Sequence, residues 1–263
     1  MNIVIVGNGV WGKNYVKTIN EYFPSVKLKI ATKADWWQLI GEKPQGVIIA
    51  TPPDSHIKIA LQALGQDIPC LIEKPLALSL VEAKKLEQFS HIPILVSHIH
   101  LFSSWYQEMK LIIGNKEITE MVSYGANNGP IRNYSSLWDY GPHDLSMILD
   151  LKKQFPFKIN INRIDGSECN MALYEIKLEF ENNTGICKTT SLVGNGTNNK
   201  CRSIHVKFND LTVSHRYQDD NINDKPLKNM LDVFFGGINE KMDARFGLQQ
   251  AFNILNILEN FRN

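Results

Sequence analysis

The stretch Met1-Asn2-Ile3-Val4-Ile5-Val6-Gly7-Asn8-Gly9-Val10-Trp11-Gly12-Lys13 decides how the rest of the chain is read. Ile3 to Val6 is a β-branched run with no polar interruption, the pattern of a strand buried on both faces and hence of a parallel sheet. It stops at a glycine. Val10, Asn14, Val16, Ile19 and Phe23 then fall roughly at helical spacing, and Val26 to Ala31 supplies a second strand, which completes one βαβ unit.

Between that strand and that helix the residues fit Gly-x-Gly-x-x-Gly. Gly7 permits the tight turn, Gly9 lets a pyrophosphate approach the backbone, Gly12 allows close helix–strand packing, and the helix N-terminus offers N–H groups to an anion. The pattern alone is weak, and its place inside a βαβ unit gives it weight. Gly7, Gly9, Val10, Trp11 and Gly12 are therefore candidate dinucleotide-binding residues. Such fingerprints usually continue to an acidic residue at the end of the second strand, on the ribose hydroxyls. Here that place reads Ala31-Thr32-Lys33. With no carboxylate there, Thr32 and Lys33 suit a 2′-phosphate, and the expectation is NADP(H), with NAD(H) as the other option.

The alternation continues with strands at 46–50, 70–73 and 92–96 and helices at 55–64 and 79–89, so the first hundred residues read as a doubly wound parallel sheet. After a helix at 105–113 the rhythm changes. Strands are expected at 117–126, 158–164, 172–180, 185–192, 203–208 and 211–215, with helices at 144–151 and 245–261 and hairpin loops at 182–183 and 194–199. This predicts an α/β chain: a dinucleotide-binding domain over 1–115, then an α+β domain over 116–263 with an open, mainly antiparallel sheet. Such an open sheet calls for a cover, so a homodimer or higher homo-oligomer is expected.

The 263 residues carry a formal net charge of +1, which supplies no broad basic field for nucleic-acid binding. Gly7, Asn8 and Lys13 interrupt the opening apolar run before a signal-peptide core or membrane span is complete, so a cytoplasmic protein is expected. Cys70, Cys169, Cys187 and Cys201 lie far apart without metal-site spacing and read as reduced thiols, with no metal expected.

Three further stretches carry chemistry: Ala50-Thr51-Pro52-Pro53-Asp54-Ser55-His56, Glu73-Lys74-Pro75-Leu76-Ala77 and Asp139-Tyr140-Gly141-Pro142-His143-Asp144-Leu145. With the glycine turn, they resemble in order and spacing the glucose-fructose oxidoreductase and inositol dehydrogenase family (Gfo/Idh/MocA) over roughly the first 150 residues. The resemblance implies a Rossmann domain followed by an open-sheet α/β domain, a catalytic Lys74 in the Glu73-Lys74-Pro75 segment, and an Asp139–His143 pair completing the site. It also implies a cis Lys74–Pro75 bond and a cofactor cleft lined by Thr51, Pro52, Pro53, His56 and Glu73. A family segment after the last parallel strand often carries Arg before an aromatic; here Ser97-His98-Ile99-His100-Leu101-Phe102 has Leu101 in that place. His98, and Arg132 in Gly129-Pro130-Ile131-Arg132, are the candidates for substrate contact.

The residue types make chemical sense on their own. Oxidising a secondary alcohol removes a hydroxyl proton while hydride leaves the same carbon, so a base and a hydrogen-bond donor must converge there. His143, with an ordinary pKa of about 6.5, is the better base. Lys74 polarises the substrate oxygen, or shuttles a proton if its ordinary value of about 10.4 is lowered by burial or by a cationic nicotinamide. Asp139, four residues before His143, can orient the imidazole. The reading is a nicotinamide-dependent oxidoreductase acting on CH–OH groups of a small polar substrate, a sugar or nucleotide sugar. The alternatives are a biliverdin- or imine-type reductase and a catalytically silent dinucleotide-binding regulator.

Overall fold

A computed structural model describes residues 1–127, 129–165, 168–183, 185–195, 201–216, 224–238 and 247–261. The chain runs β1 (Asn2–Val6), α1 (Val10–Tyr22), β2 (Lys27–Ala31), α2 (Trp36–Gly41), β3 (Gly46–Ile49), α3 (Pro53–Leu64), β4 (Cys70–Ile72), α4 (Leu80–Lys84), β5 (Ile94–Val96) and α5 (Ser104–Ile113). It continues with β6 (Ile118–Asn127), α6 (Ser136–Lys152), β7 (Lys158–Arg163), β8 (Leu173–Asn182), β9 (Gly185–Asn195), β10 (Cys201–Phe208), β11 (Leu211–Arg216), α7 (Pro226–Gly237) and α8 (Leu248–Glu259). Among the described residues no helix is long and apolar enough to cross a membrane.

β1 to β5 form an all-parallel sheet in the order β2-β1-β3-β4-β5. Ile5 aligns with Ile30 on one side and Ile48 on the other. Every residue of Ile3–Val6, β3 and β4 is buried, so both faces are covered, as the unbroken apolar runs require. The strand order reverses between β1 and β3, and open α/β sheets bind ligands at the carboxyl edge beside such a reversal.

The second sheet is mixed, in the order β11-β10-β6-β9-β8-β7. All its pairings are antiparallel except β6 with β9. One face packs Tyr174, Ile176, Leu178 and Phe180 of β8 into the core. The other carries Lys158–Glu179 and Lys177–Glu175 ion pairs together with the exposed Tyr124 and Ile186.

The chain divides into compact units of Met1–Phe102 with Lys225–Leu255, and Ser103–Asp224 with Asn256–Asn263, rather than at a single cut after residue 115. α5 goes with the second unit because polar groups anchor it there. The Tyr106 hydroxyl and the Lys110 ammonium each donate to Asp150 Oδ2 at 2.6 Å. α7, absent from the sequence reading, returns to the first unit. Phe235 packs edge-on against Phe23 with centroids 5.0 Å apart, Lys225 donates to the Tyr22 hydroxyl, and Asn229 Nδ2 donates to the Phe102 carbonyl at 3.0 Å. The signal was present, since Met230, Leu231 and Phe234 fall on one helical face behind Pro226, and all three are buried. α2 was likewise missed. The expected loop at 194–199 and the start of the closing helix at 245 fall partly outside the described residues.

Tyr106→Phe removes one of two donors to the buried Asp150 carboxylate, and a loss of about 1–3 kcal/mol in unfolding free energy is expected by urea titration. Unchanged stability would show that this contact does not hold α5.

Candidate active site

The residues expected to hold a dinucleotide lie along one edge of the parallel sheet. Gly7 has φ +110°, and a Cβ there would lie 2.6 Å from the Ala50 carbonyl oxygen at the end of β3, while its N–H donates to the Ala31 carbonyl at 3.0 Å. Gly12 is as constrained: a Cβ would lie 2.0 Å from the Gly7 oxygen. Gly9 is the opposite case, with nothing within 4 Å of the position its Cβ would take. It is the N-cap of α1, no side chain caps the helix, and its first turn holds no acid. The N–H groups of a thirteen-residue helix thus end in open space, with Val10 77% exposed beside them. An anionic pyrophosphate fits that position.

At the end of β2 the structure corrects the argument for a 2′-phosphate. Asp35 folds back so that one carboxylate oxygen accepts from both the Thr32 N–H and the Thr32 hydroxyl at 2.7 Å. Those hydrogen bonds hold the carboxyl below its ordinary range. An acid four residues past the strand is thus held by a turn on the Thr32 backbone, and the Thr32 hydroxyl is engaged by it. Lys33 is exposed.

Beyond β3, Pro52 caps α3 and Pro53 opens it, while Ser55 donates to Thr51 Oγ1 at 2.8 Å. His56 is fully buried, with Nδ1 3.0 Å from the Pro75 carbonyl and Nε2 2.8 Å from the Thr51 carbonyl. It ties the loop after β3 to the loop after β4, so its ring nitrogens serve the scaffold. Burial lowers its pKa and outweighs the two carbonyls, which favour the charged form.

Glu73 and Lys74 follow β4, and the Lys74–Pro75 peptide is cis. Glu73 is 4% exposed, Lys74 half-buried. Ser97 and His98 follow β5. His98 is buried, and neither ring nitrogen has a hydrogen-bond partner among the described residues. Burial first, and then the Lys74 charge, push its pKa down to about 3, so the imidazole is neutral.

In the second unit Asp139 and His143 both sit inside α6, which starts at Ser136 rather than near residue 144. Ser135 caps it by accepting from the Leu137 N–H at 3.2 Å. Asp139 is therefore no cap. It and His143 are one turn apart on the same face, both buried. Pro142 lies within the helix, which is buried along nearly its whole length, so packing overrides the local penalty of a proline. Arg132 Nε donates to Asp139 Oδ2 at 3.3 Å. The Asn170 amide holds the Arg132 carbonyl at 3.0 Å, and the Asn195 amide brackets Gly129.

Three neighbours escaped the sequence reading. Asp144 is buried against Ser123, whose hydroxyl donates to it at 2.6 Å, and burial raises its pKa to about 6. A Cβ on Gly125 would lie 2.9 Å from its carboxylate. Arg202, on the inner face of β10, is 9% exposed, and its charge offsets in part the rise that burial gives the pKa of both Asp144 and Tyr140. Asp144 had a signal, being an acid beside His143 in a buried helix. Arg202 had none, because only strand register turns it inward.

His98 generates a pH prediction. Its folded pKa is depressed, so below about 6.5 the unfolded chain binds more protons and folding loses stability as pH falls. Asp144, with a raised pKa, acts in the opposite sense between its ordinary value and about 6, so a variant comparison is needed. From pH 6.5 to 5, His98→Leu should gain up to ~2 kcal/mol on the parent in urea unfolding. Parallel pH curves would show that His98 is protonated alike in both states.

Residues 25–90 match the family model described as oxidoreductase family, NAD-binding Rossmann fold (GFO_IDH_MocA). Over 80 residues, 29% of this chain, the sequence is 36% identical to inositol 2-dehydrogenase of Arthrobacter sp. strain FB24, and the match spans about a quarter (24%) of that enzyme. A candidate oxidoreductase of Magnetospirillum magnetotacticum MS-1 superposes with TM-score 0.85 at 24% identity, covering 98% of both chains. UDP-N-acetylglucosamine 3-dehydrogenase GnnA of Acidithiobacillus ferrooxidans superposes with TM-score 0.84 at 17% identity, covering 100% of this chain and 96% of its own. At such identities these two likenesses establish fold alone. Residues 25–90 are thus similar to the NAD-binding Rossmann segment which that family model describes, and over its full length the chain has the fold of the solved UDP-N-acetylglucosamine 3-dehydrogenase.

Proposed function

We propose that the protein is an NAD(H)-dependent oxidoreductase that interconverts a secondary alcohol and a ketone on a sugar, cyclitol or nucleotide sugar. The observation that carries this reading is the arrangement of one sheet edge. The uncapped turn at Gly9 and the Glu73-Lys74 segment follow β1 and β4, which stand two strand spacings apart, roughly 10 Å. That separation suits a dinucleotide whose pyrophosphate would be held at the Gly9 turn, with Lys74 available to its redox end. The family match and the substrates of the inositol and UDP-N-acetylglucosamine dehydrogenases support the substrate class.

The bound nicotinamide supplies the hydride acceptor or donor. In the oxidative direction His143 takes the hydroxyl proton onto its ring as the carbon's hydrogen leaves with its electron pair, giving ketone, reduced cofactor and a protonated imidazole. Lys74 donates a hydrogen bond to the reacting oxygen, and Asp139, steadied by Arg132, offsets the charge that His143 acquires. Arg132 and His98 are proposed substrate contacts. Asp35 takes the adenosine ribose hydroxyls, and its charge disfavours a 2′-phosphate.

Lys74→Ala should lower kcat at least ~100-fold with the NADH Kd within about threefold of the parent. The chemistry needs Lys74 and His143 at one substrate carbon, so the double Lys74→Ala, His143→Ala variant should be little slower than the worse single variant. Strict additivity would separate the two residues and remove this mechanism.

Fluorescence titration should show tighter binding of NADH than of NADPH, and Asp35→Ala should narrow the difference by roughly tenfold. Tighter NADPH binding by the parent would overturn the cofactor assignment.

A further inference from the structure

Beneath the edge that carries Lys74 lies a buried polar cluster to which the proposed reaction assigns no part. Tyr15, on the inner face of α1, is fully buried and donates its hydroxyl proton to Glu73 Oε1 at 2.6 Å. Ser97, just past β5, is 1% exposed and donates to the same oxygen at 2.9 Å, and its Oγ lies 3.3 Å from the Tyr15 hydroxyl. The Lys74 N–H donates to the other oxygen, Oε2, at 3.2 Å. These contacts are all donors to the carboxyl group, and an acceptor-only set of contacts is what an ionised carboxylate needs. Burial raises the pKa of Glu73 above its ordinary value, and the Tyr15 hydroxyl, the Lys74 charge, the Ser97 hydroxyl and the Lys74 N–H offset that rise only in part. The Glu73 charge also raises the pKa of Tyr15, which keeps the phenol protonated and donating.

We infer that Tyr15 and Ser97 are positioning residues for Lys74, acting through the Glu73 carboxylate that they hold in place. The carboxylate fixes the Lys74 backbone by its own hydrogen bond and places a negative charge one residue from the ammonium. The middle of α1 and the ends of β4 and β5 converge on it, so a displacement of Glu73 moves the start of the Lys74 segment. This assignment rests on the reading of Lys74 as the group that meets the substrate oxygen. A core role alone would hold the sheet together and leave the reactivity of Lys74 unchanged.

The test separates these roles and does not depend on turnover. Intact protein with NADH bound is treated with trinitrobenzenesulfonate at pH 8, and labelling of Lys74 is followed by peptide mass spectrometry against the exposed Lys13 and Lys33 as internal controls. Glu73→Gln keeps the shape but replaces one acceptor oxygen by an amide donor, so the hold on the Lys74 segment loosens and Lys74 should label roughly 3- to 10-fold faster, with the controls unchanged. The pair Ser97→Ala and Ser97→Thr covers the case in which Glu73→Gln fails to fold: alanine should raise labelling and threonine, which keeps the hydroxyl, should restore it. Tyr15→Phe should act as Ser97→Ala does. In turnover, the same variants should lose kcat about tenfold with NADH Kd within twofold, and Ser97→Thr should recover it.

Equal Lys74 labelling in parent, Ser97→Ala and Tyr15→Phe proteins would overturn the inference, as would equal acceleration at the control lysines. A labelling response in a parent that turns over no sugar, cyclitol or nucleotide sugar would support the positioning role while removing the proposed reaction.

Discussion

The rest of the structure depends on the double pairing of β1. A strand hydrogen-bonded on both sides and covered on both faces has its end fixed in all three dimensions, and Gly7 begins where β1 stops. The neighbouring strand ends press on it: its N–H is held by Ala31 at the end of β2, and the Ala50 carbonyl after β3 leaves no room for a side chain. The turn is therefore clamped by the sheet, and the helix that follows is aimed by it. Gly9, one residue beyond the pinch, opens onto unfilled space. A rigid turn beside an uncapped helix N-terminus is the arrangement on which the proposed pyrophosphate site rests.

Burial sorts the ionisable groups by charge state. His98 loses its basicity to desolvation and stays neutral, while burial lowers the pKa of His56 against the carbonyls that favour its charged form. Glu73 faces the same penalty and is supplied with hydroxyl and amide donors. Asp144, with its strongest contact from Ser123, is left near about 6. The same physical cost thus yields a neutral imidazole at His98 and raised carboxyl pKa values at Glu73 and Asp144, offset in part by the donors each site provides. The Asp139–Arg132 pair is different, since Arg132 remains well exposed and its carboxylate partner is buried.

Local pattern carried much of the fold and of the candidate site. Ile3 to Val6, Gly46 to Ile49 and Cys70 to Ile72 are short apolar runs that only a two-sided burial explains, and Gly7, Thr51 and Glu73, named for the site, follow them within two residues. The failures share a cause. Asp35 was overlooked because the acid was sought at the strand end, whereas a turn folds it back onto Thr32. α6 was started too late because Gly141-Pro142 reads locally as a break, whereas burial of nearly every residue from Ser136 to Asp150 holds the helix through it. The domain cut was misplaced because α5 and α7 are assigned by their contacts, and adjacency in sequence says nothing about Asp150 or Phe23.

The sequence by itself determined the alternating sheet, the glycine turn between first strand and first helix, and the spacing of Asp139 and His143 by one helical turn. Each of these is encoded within a dozen residues, where backbone sterics and apolar periodicity act. Only the tertiary structure decided that Tyr15, Glu73 and Ser97 meet beneath Lys74, that His98 is stripped of its charge, and that Arg202 turns toward Asp144. These facts depend on residues up to 82 positions apart and on the water excluded around them, and desolvation exists only once the chain has closed over the group.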